Sequence, residues 1–247
     1  MQLYARVRAL GIKVDLGDAK SINNVYVCFV EASIDSENLY IYLVVFKIMR
    51  VDRVIALFGI LGPLVAYFAI GLSICFSPWF DWTKNALSDL GIGEAGYTFN
   101  YGLIIAGLLL VPFSLLLRKM LPYSRLGRNG AVIFLFAVVS LALIGVFPER
   151  ENVLAVHFLV SLLFFCLTAV SSMMVGCGLL KEGCKMLGYI AFAAGIVIIG
   201  CHIVILPIVI WTYPLSAIAI PEMVAAVSAT IWVIVFALKI LLKGSLK

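Results

Sequence analysis

Ionisable side chains that could bind a ligand or move a proton are few in this sequence, and several stand at the ends of long apolar runs. His157 follows the polar stretch that contains Glu149, and Glu222 follows Pro221 at the start of the last apolar run. A histidine beside carboxylates can titrate near neutral pH. The residue types therefore indicate a polar site that handles protons or binds a headgroup.

A second polar stretch, NALSDLGIGEAGYTFN at residues 85–100, lies between two apolar runs. Its three glycines would let the chain turn back, because glycine adopts backbone angles that are closed to other residues. We expect Asp89 and Asn100 to fold over the mouth of a helix bundle and to meet the carboxylates and the histidine named above. The alternative is a loop that only joins two helices.

The full candidate site collects polar side chains that should lie on one side of the membrane. Its members are Ser88, Asp89, Asn100, Glu149, His157, Ser161, His202 and Glu222. Ionisable groups within a membrane are costly and usually face the bundle interior or a watery cavity. A simpler interpretation stays open, because Glu149 and Glu222 also complement the positive end of a helix dipole and Asn152 can cap the fourth helix.

The fourth apolar run carries a polar stripe that begins at His157. Its members fall within an arc of about 100° on a helix: His157, Ser161, Phe164, Thr168 and Ser172. Such a stripe is typical of a cleft wall. Serine and threonine hydroxyls also bond back to their own helix or join neighbouring helices, so both interpretations stay open.

Other chemistries lack a motif in this sequence. Histidine and carboxylate ligands suit zinc, but the two histidines stand apart, with no HxxxH or HExxH spacing, and we predict no cofactor. A serine hydrolase built from Ser88 and His157 would lack the GxSxG turn. The six cysteines show no paired spacing, so neither a disulfide framework nor a CxxC metal site is indicated.

The elements that must position the candidate site are membrane helices. The chain is 64% hydrophobic and 13% charged, with a mean hydropathy of +1.15. Six segments are long enough to span roughly 30 Å of hydrocarbon as helices. They cover approximately residues 54–77, 98–117, 129–147, 153–180, 187–210 and 217–242. The predicted fold class is all-α, a polytopic integral membrane protein with six transmembrane helices.

The basic residues are distributed unequally between the two sides of this six-helix path. All but two of the 18 fall on one side, the exceptions being Lys84 and Arg150. This positive-inside pattern predicts a multi-pass protein of the cell membrane with the N- and C-termini in the cytoplasm. The net charge of +5 then reflects orientation and contact with membrane lipids rather than nucleic acid. The oligomeric state is not indicated.

Residues 1–48 differ from residues 49–247, which form the predicted transmembrane domain. They hold scattered charges and one apolar run, Leu39–Phe46, which is too short to span a bilayer. One interpretation is an over-extended gene start, with Met49 as the natural first residue. The other is a cytoplasmic extension with a short interfacial strand or helix.

Several motifs, in their order and spacing, resemble a prokaryotic membrane family known as domain of unknown function 998. They are NALSDLG at residues 85–91, FNYGLIIAG at 99–107, GVFPE at 145–149 followed by His157, and IPE at 220–222. The likeness covers roughly residues 50–242. It implies a six-helix transmembrane bundle without an assigned activity. It also implies that Ser88, Asp89, Asn100, Glu149, His157 and Glu222 are characteristic positions.

The chain is also faintly similar to the Frag1/DRAM/Sfk1 group, which has six spans, an SDxG-like first outer loop and a histidine in the fourth helix. That group is linked to lipid remodelling, phosphoinositide signalling and autophagy. The similarity implies a role that involves lipids.

Three functional hypotheses follow. The first is an outward-facing polar cleft that binds or modifies a lipid headgroup or a small polar ligand. The second is a non-catalytic structural or regulatory bundle whose carboxylates are helix caps. The third is a small-solute transporter, although no pair of broken helices is evident.

Overall fold

A computed structural model describes residues 20–22, 25–27, 36–121, 123–150, 153–211 and 218–246 of the chain. Its contacts divide the chain into two compact units, Met1–Arg50 and Val51–Lys247. Every candidate site residue belongs to the second unit.

The described part of the first unit contains a small antiparallel pair of strands. These are β1 (Lys20–Ile22) and β2 (Val25–Val27), and their register places Ser21 opposite Tyr26. The pair is an addition to the all-α class expected from the sequence. Its strands are only three residues long, too short to show the alternation by which a strand is identified.

Six long helices make up most of the described structure. They are α1 (Ser36–Cys75), α2 (Gly96–Met120), α3 (Arg125–Val146), α4 (Leu154–Lys181), α5 (Lys185–Trp211) and α6 (Ala219–Lys243). Each has a stretch long and apolar enough to cross a membrane, which confirms the six-helix prediction. A short 3-10 helix, Leu87–Gly91, lies between α1 and α2.

The outside of the second unit is covered with large apolar side chains. Phe68 of α1 and Leu242 of α6 are each 72% exposed, and Leu108 of α2 is 61% exposed. An apolar surface of this extent suits contact with hydrocarbon rather than water. The second unit therefore has the surface expected of a multi-pass membrane protein.

The first helix packs closely against both the second and the last. A Cβ added at Gly59 of α1 would lie 2.6 Å from Phe113 of α2 and 2.9 Å from the Cβ of Ala237 of α6. Further along, the hydroxyls of Tyr67 of α1 and Thr230 of α6 are hydrogen-bonded at 3.1 Å. Small residues permit this approach, and without them the helices would have to separate.

The remaining neighbours pack in chain order. A Cβ at Gly107 of α2 would lie 2.7 Å from the carbonyl oxygen of Val138 in α3. Gly130 of α3 contacts α4 and Gly176 of α4 contacts α5 in the same way. Successive helices therefore run in opposite directions and, together with the contact between α1 and α6, close a ring.

One helix, α5, lies at the periphery of the bundle. A small apolar cluster, made of Ala169 of α4, Ile198 of α5, and Ala225 and Ala229 of α6, joins these three helices. A central cavity lies between the helices. Among the described residues, its lining comes from the other five helices and from the 3-10 helix. The fifth helix therefore supports α4 and α6 from outside.

The two ends of the second unit differ in charge. We call the end that holds Asp89, Glu149 and Glu222 the carboxylate end, and the opposite end, with Lys119 and Lys243, the basic end. At the basic end the Nζ of Lys119 donates to both carboxylate oxygens of Asp52 at 2.7 Å.

Gly107→Ala is expected to lower the free energy of unfolding by about 1–3 kcal/mol, because overpacking a tight contact costs that much. The new Cβ would meet the Val138 carbonyl oxygen and the Cβ of Ala142, at 2.7 and 2.8 Å. Denaturant unfolding of detergent-purified protein would measure the change. The matched control is Gly71→Ala, since nothing lies within 4 Å of its Cβ and alanine favours a helix. Equal losses in both variants would contradict close packing at Gly107.

Candidate functional site

The 3-10 helix at the carboxylate end is held by its own acidic residue. The Oδ2 of Asp89 accepts hydrogen bonds from the backbone N–H of Ala86 at 2.9 Å and from the side-chain amide of Asn85 at 3.0 Å. Ala86 and Leu90 are completely buried beneath the turn. Asp89 therefore fixes the local conformation that presents Leu87 and Ser88.

Asn100 joins this segment to the start of α2. Its side-chain amide donates to the carbonyl oxygen of Gly91 at 2.9 Å. Glycine is required at two positions that contact Asn100. A Cβ at Gly91 would lie 2.7 Å from the Oδ1 of Asn100, and a Cβ at Gly145 of α3 would collide with the Asn100 backbone carbonyl. Asn100 thus acts as a brace for the turn.

The start of α6 docks onto the same segment through two hydrogen bonds. The backbone N–H of Ala219 donates to the carbonyl oxygen of Asn85 at 3.1 Å. The backbone N–H of Leu87 donates to Oε2 of Glu222 at 2.7 Å. Glu222 therefore bonds a backbone amide from a distant part of the chain.

Glu149 lies at the centre of the polar cluster. Its Oε2 accepts the Ser88 hydroxyl at 2.6 Å and lies 3.9 Å from Nε2 of His157. Burial raises the pKa of the Glu149 carboxyl above its usual value. The Ser88 hydrogen bond and the His157 charge oppose that rise in pKa, whereas the Asp89 charge adds to it.

His157 is buried and its ring is fixed by a backbone carbonyl. Nδ1 lies 2.7 Å from the carbonyl oxygen of Phe147. A carbonyl only accepts, so Nδ1 must carry the proton. In the neutral ring Nε2 then has a free lone pair, and this atom faces Glu149 and the Ser161 hydroxyl, which lies at 3.5 Å. Nε2 is therefore the ring atom that is directed toward the polar cluster.

A cavity of about 110 Å³ begins beside this cluster and continues between the helices. Three hydrophilic side chains, Ser88, Ser161 and Glu222, line it near the carboxylate end. Farther in, the wall is largely apolar and includes Phe99, Leu103, Ala106, Leu110, Phe134, Val138, Leu141 and Val233. The cavity thus has one polar end and an apolar body.

The structure brings most of the predicted site residues into one network. Ser88, Glu149, His157 and Ser161 are joined directly, and Asp89, Asn100 and Glu222 hold the same turn. His202 does not join them within the described residues. Its Nδ1 bonds the Ile198 carbonyl of its own helix at 2.8 Å, and its ring packs on Phe165.

The polar stripe on α4 fits both interpretations made from the sequence, because some of its residues line the cavity and some of its hydroxyls bond back to their own helix. Ser161, Phe164 and Thr168 line the cavity. The hydroxyl of Thr168 bonds back to the Phe164 carbonyl, and that of Ser172 bonds back to the Ala169 carbonyl. The stripe is therefore a cavity wall over its first three turns and a self-bonded helix face beyond them.

Glu149 forms no side-chain cap of α4, because its carboxylate accepts the Ser88 hydroxyl, and its effect on the helix dipole stays a prediction. The cap residue of α4 is Val153, without a side-chain cap. The predicted cap, Asn152, lies outside the described residues. Glu222 does stand in the first turn of α6, but its carboxylate bonds the Leu87 amide.

Two functional elements were missed by sequence reasoning. One is the backbone amide of Leu87, because a backbone donor leaves no signature in residue type. The other is the hydrogen-bonded pair of Tyr67 and Thr230 in the cavity wall. Each lies alone in an apolar run, and only the pairing of the first and last helices reveals their contact.

The described residues contain no group of three histidine, cysteine or acidic side chains that could hold a metal ion. Nε2 of His157 and the Glu149 carboxylate would supply two ligands at most, and a structural or catalytic zinc needs three or four. The donor set therefore does not fit a zinc centre.

Comparison with known proteins gives one match. The model of a family described as Protein of unknown function (DUF998) matches residues 60–239, which include every candidate site residue. No match was found among curated proteins or among solved structures. The first resemblance stated from the sequence is thereby confirmed, whereas the similarity to the Frag1/DRAM/Sfk1 group is not shown.

The raised pKa of Glu149 predicts a pH dependence of stability. The folded chain holds this proton more tightly than the unfolded chain, whose carboxyl titrates at its usual value of 4.5. The stabilisation is complete below that pH and is lost as the pH rises through the raised pKa.

Glu149→Gln stays neutral at every pH and is therefore expected to remove this part of the decline in the free energy of unfolding. Chemical unfolding at a series of pH values would measure the slope. Glu94→Gln, at an exposed position of the 85–100 stretch, is the control and should keep the slope. An unchanged slope in Glu149→Gln would contradict the assignment.

Proposed function

The chain belongs to the family described as Protein of unknown function (DUF998), and we propose that it binds an amphipathic molecule of the membrane. The polar head of this ligand lies at the carboxylate end, beside Ser88 and Glu222, and its hydrocarbon chain lies in the central cavity. The observation that carries the proposal is the cavity itself, which joins a polar end to an apolar body.

The size of the cavity favours hydrocarbon over water. A single water needs on the order of 10–15 Å³ by the same measure, and it needs two to four polar partners. The cavity has about 110 Å³, and most of its wall offers no hydrogen bond. Water in the apolar part would be unsatisfied, whereas an alkyl chain would gain dispersion contacts.

The length of the cavity suits an alkyl chain. Along α2 the lining residues run from Phe99 to Leu110, which corresponds to about 16 Å at the helical rise. Lipids are the amphipathic molecules at hand, because the surrounding helices are long enough to cross a bilayer. A lipid or a single-chain amphiphile released from one therefore fits best.

The second candidate is a structural bundle without a ligand. It is favoured by the hydrogen bonds of Glu222 and Glu149 to Leu87 and Ser88, which tie distant connections together. A transporter has less support, since α1 and α2 continue without interruption through Pro63 and Pro112. The structural bundle gives the cavity no role, whereas the ligand-binding hypothesis gives it one.

The orientation of the bundle is part of the proposal. The concentration of lysine and arginine at the basic end supports a cytoplasmic location for that end and for both termini. The carboxylate end would then face outwards, and the ligand head would lie in the outer leaflet.

Single cysteines in a cysteine-free background test this orientation. Glu94→Cys at the carboxylate end should react with a membrane-impermeant maleimide in intact cells, because this residue is exposed. Arg125→Cys at the basic end should react only after the cells are opened. Labelling of Arg125→Cys from outside would reverse the orientation.

Ala226→Phe tests the cavity as the ligand site. Ala226 lines the cavity, so a phenyl ring should fill it and remove a co-purified lipid from the native mass spectrum of gently extracted protein. Val227→Phe is the matched control, since Val227 is 41% exposed on the outside of the same helix, and it should retain the lipid. Equal retention in the two variants would contradict the proposal, and absence of any lipid from the unmodified protein would favour the structural bundle.

A further inference from the structure

At the carboxylate end of the cavity, two acidic side chains from other parts of the chain bond one short turn. Glu149 bonds the Ser88 hydroxyl, and Glu222 bonds the Leu87 amide, so the two carboxylates approach consecutive residues. Glu222 also lies close enough to Glu149 and Asp89 to interact with their charges. Three carboxylates from three parts of the chain therefore share one electrostatic environment.

The donors that satisfy Glu149 and Glu222 directly are neutral. The Ser88 hydroxyl and the Leu87 amide contribute hydrogen bonds without a full positive charge. Within the described residues the sole cationic partner is His157, whose Nε2 lies 3.9 Å from Glu149. Glu222 has no ion pair there.

Among the described residues of the carboxylate end, no lysine or arginine pairs with Glu149 or Glu222. The sequence has only Lys84 and Arg150 in the connections of the carboxylate end, and the stretches 151–152 and 212–217 contain no lysine or arginine. Lys84 pairs with Asp81 at 3.0 Å, and Arg150 is exposed. The described lysine and arginine side chains therefore leave the head position beside Glu222 without a permanent positive charge.

Buried carboxylates are costly unless a cation or further donors compensate them. An alkyl ammonium meets this need, because its N–H groups can donate to carboxylate oxygens while its chain extends into the apolar cavity. Glu222 and Ser88 both line the cavity, so the head and the chain would occupy one continuous space. An anionic headgroup would meet only repulsion from the same carboxylates.

We propose that the ligand of this cavity has a cationic, ammonium-type head that binds beside Glu222 and Ser88, with Glu149 behind the Ser88 hydroxyl. This inference rests on the proposed function, since it assumes that an amphipathic molecule occupies the cavity. It selects amine-headed amphiphiles over neutral and anionic ones.

The test uses the full-length protein in an uncharged detergent and three single-chain amphiphiles with the same saturated chain. Their heads are a primary ammonium, a hydroxyl and a carboxylate, and native mass spectrometry or equilibrium dialysis measures their affinities. The ammonium amphiphile should bind at least about tenfold more tightly than the other two, as expected for a charge-assisted contact.

The outcomes separate this inference from the proposed function. Equal binding of the ammonium and hydroxyl amphiphiles, or tighter binding of the carboxylate, would overturn the cationic head and leave cavity binding intact. Binding of none of the three would overturn both. Loss of all binding in Ala226→Phe would show that the measured binding is in the cavity.

Charge-neutral variants locate the head. Glu222→Gln should lower the ratio of ammonium to hydroxyl affinity by about tenfold, because the substitution removes the charge that distinguishes the two heads. Glu94→Gln is the control and should change neither affinity. If Glu222→Gln does not fold, Glu149→Gln serves as the second variant. An unchanged ratio of ammonium to hydroxyl affinity in a folded variant would overturn the inference.

Discussion

A backbone amide inside a bilayer has no water to bond, and this constraint decides where the chain can be anything other than a helix. In the described membrane-crossing segments, each helix satisfies this constraint through its own backbone hydrogen bonds. The segment from Asn85 to Gly91 is too short to satisfy all its backbone groups in this way. Its amides and carbonyls are bonded instead by Asp89, Glu222 and Asn100, side chains from inside and outside the segment. The polar cluster therefore first of all stabilises a short 3-10 turn at the end of a helix bundle.

The same side chains give the turn its chemical character. Each carboxylate that bonds this turn is an acidic group, and two of them bond adjacent residues, Glu222 the backbone amide of Leu87 and Glu149 the hydroxyl of Ser88. Ser88 then has its hydroxyl directed to Glu149, and His157 has one ring nitrogen held by Phe147 and the other facing the carboxylate. The structural and the ligand-binding interpretations consequently describe one set of contacts. They differ only in whether the cavity beneath those contacts is occupied.

The sequence predicted the six helices because long apolar runs have few alternatives in a membrane. It also singled out a set of polar and ionisable residues as a candidate site, and the described structure joins all of them except His202 around one turn. Both faces of a membrane helix meet apolar surroundings, lipid on one side and protein on the other, so residue periodicity indicates weakly which way a side chain points. For this reason neither the peripheral position of α5 nor the course of the cavity was foreseen. Gly107 illustrates the limit, since nothing in its residue type identifies the Val138 carbonyl as its neighbour.

The contact between the first and last helices has a consequence for biosynthesis. Gly59 packs on Ala237, and Tyr67 bonds Thr230, so α6, the last of the six described helices to be synthesised, closes the ring. Until α6 is in place, the cavity walls of α1 and α4 are open on one side. If the cavity binds a lipid, as proposed, this open side gives the lipid access before α6 covers it.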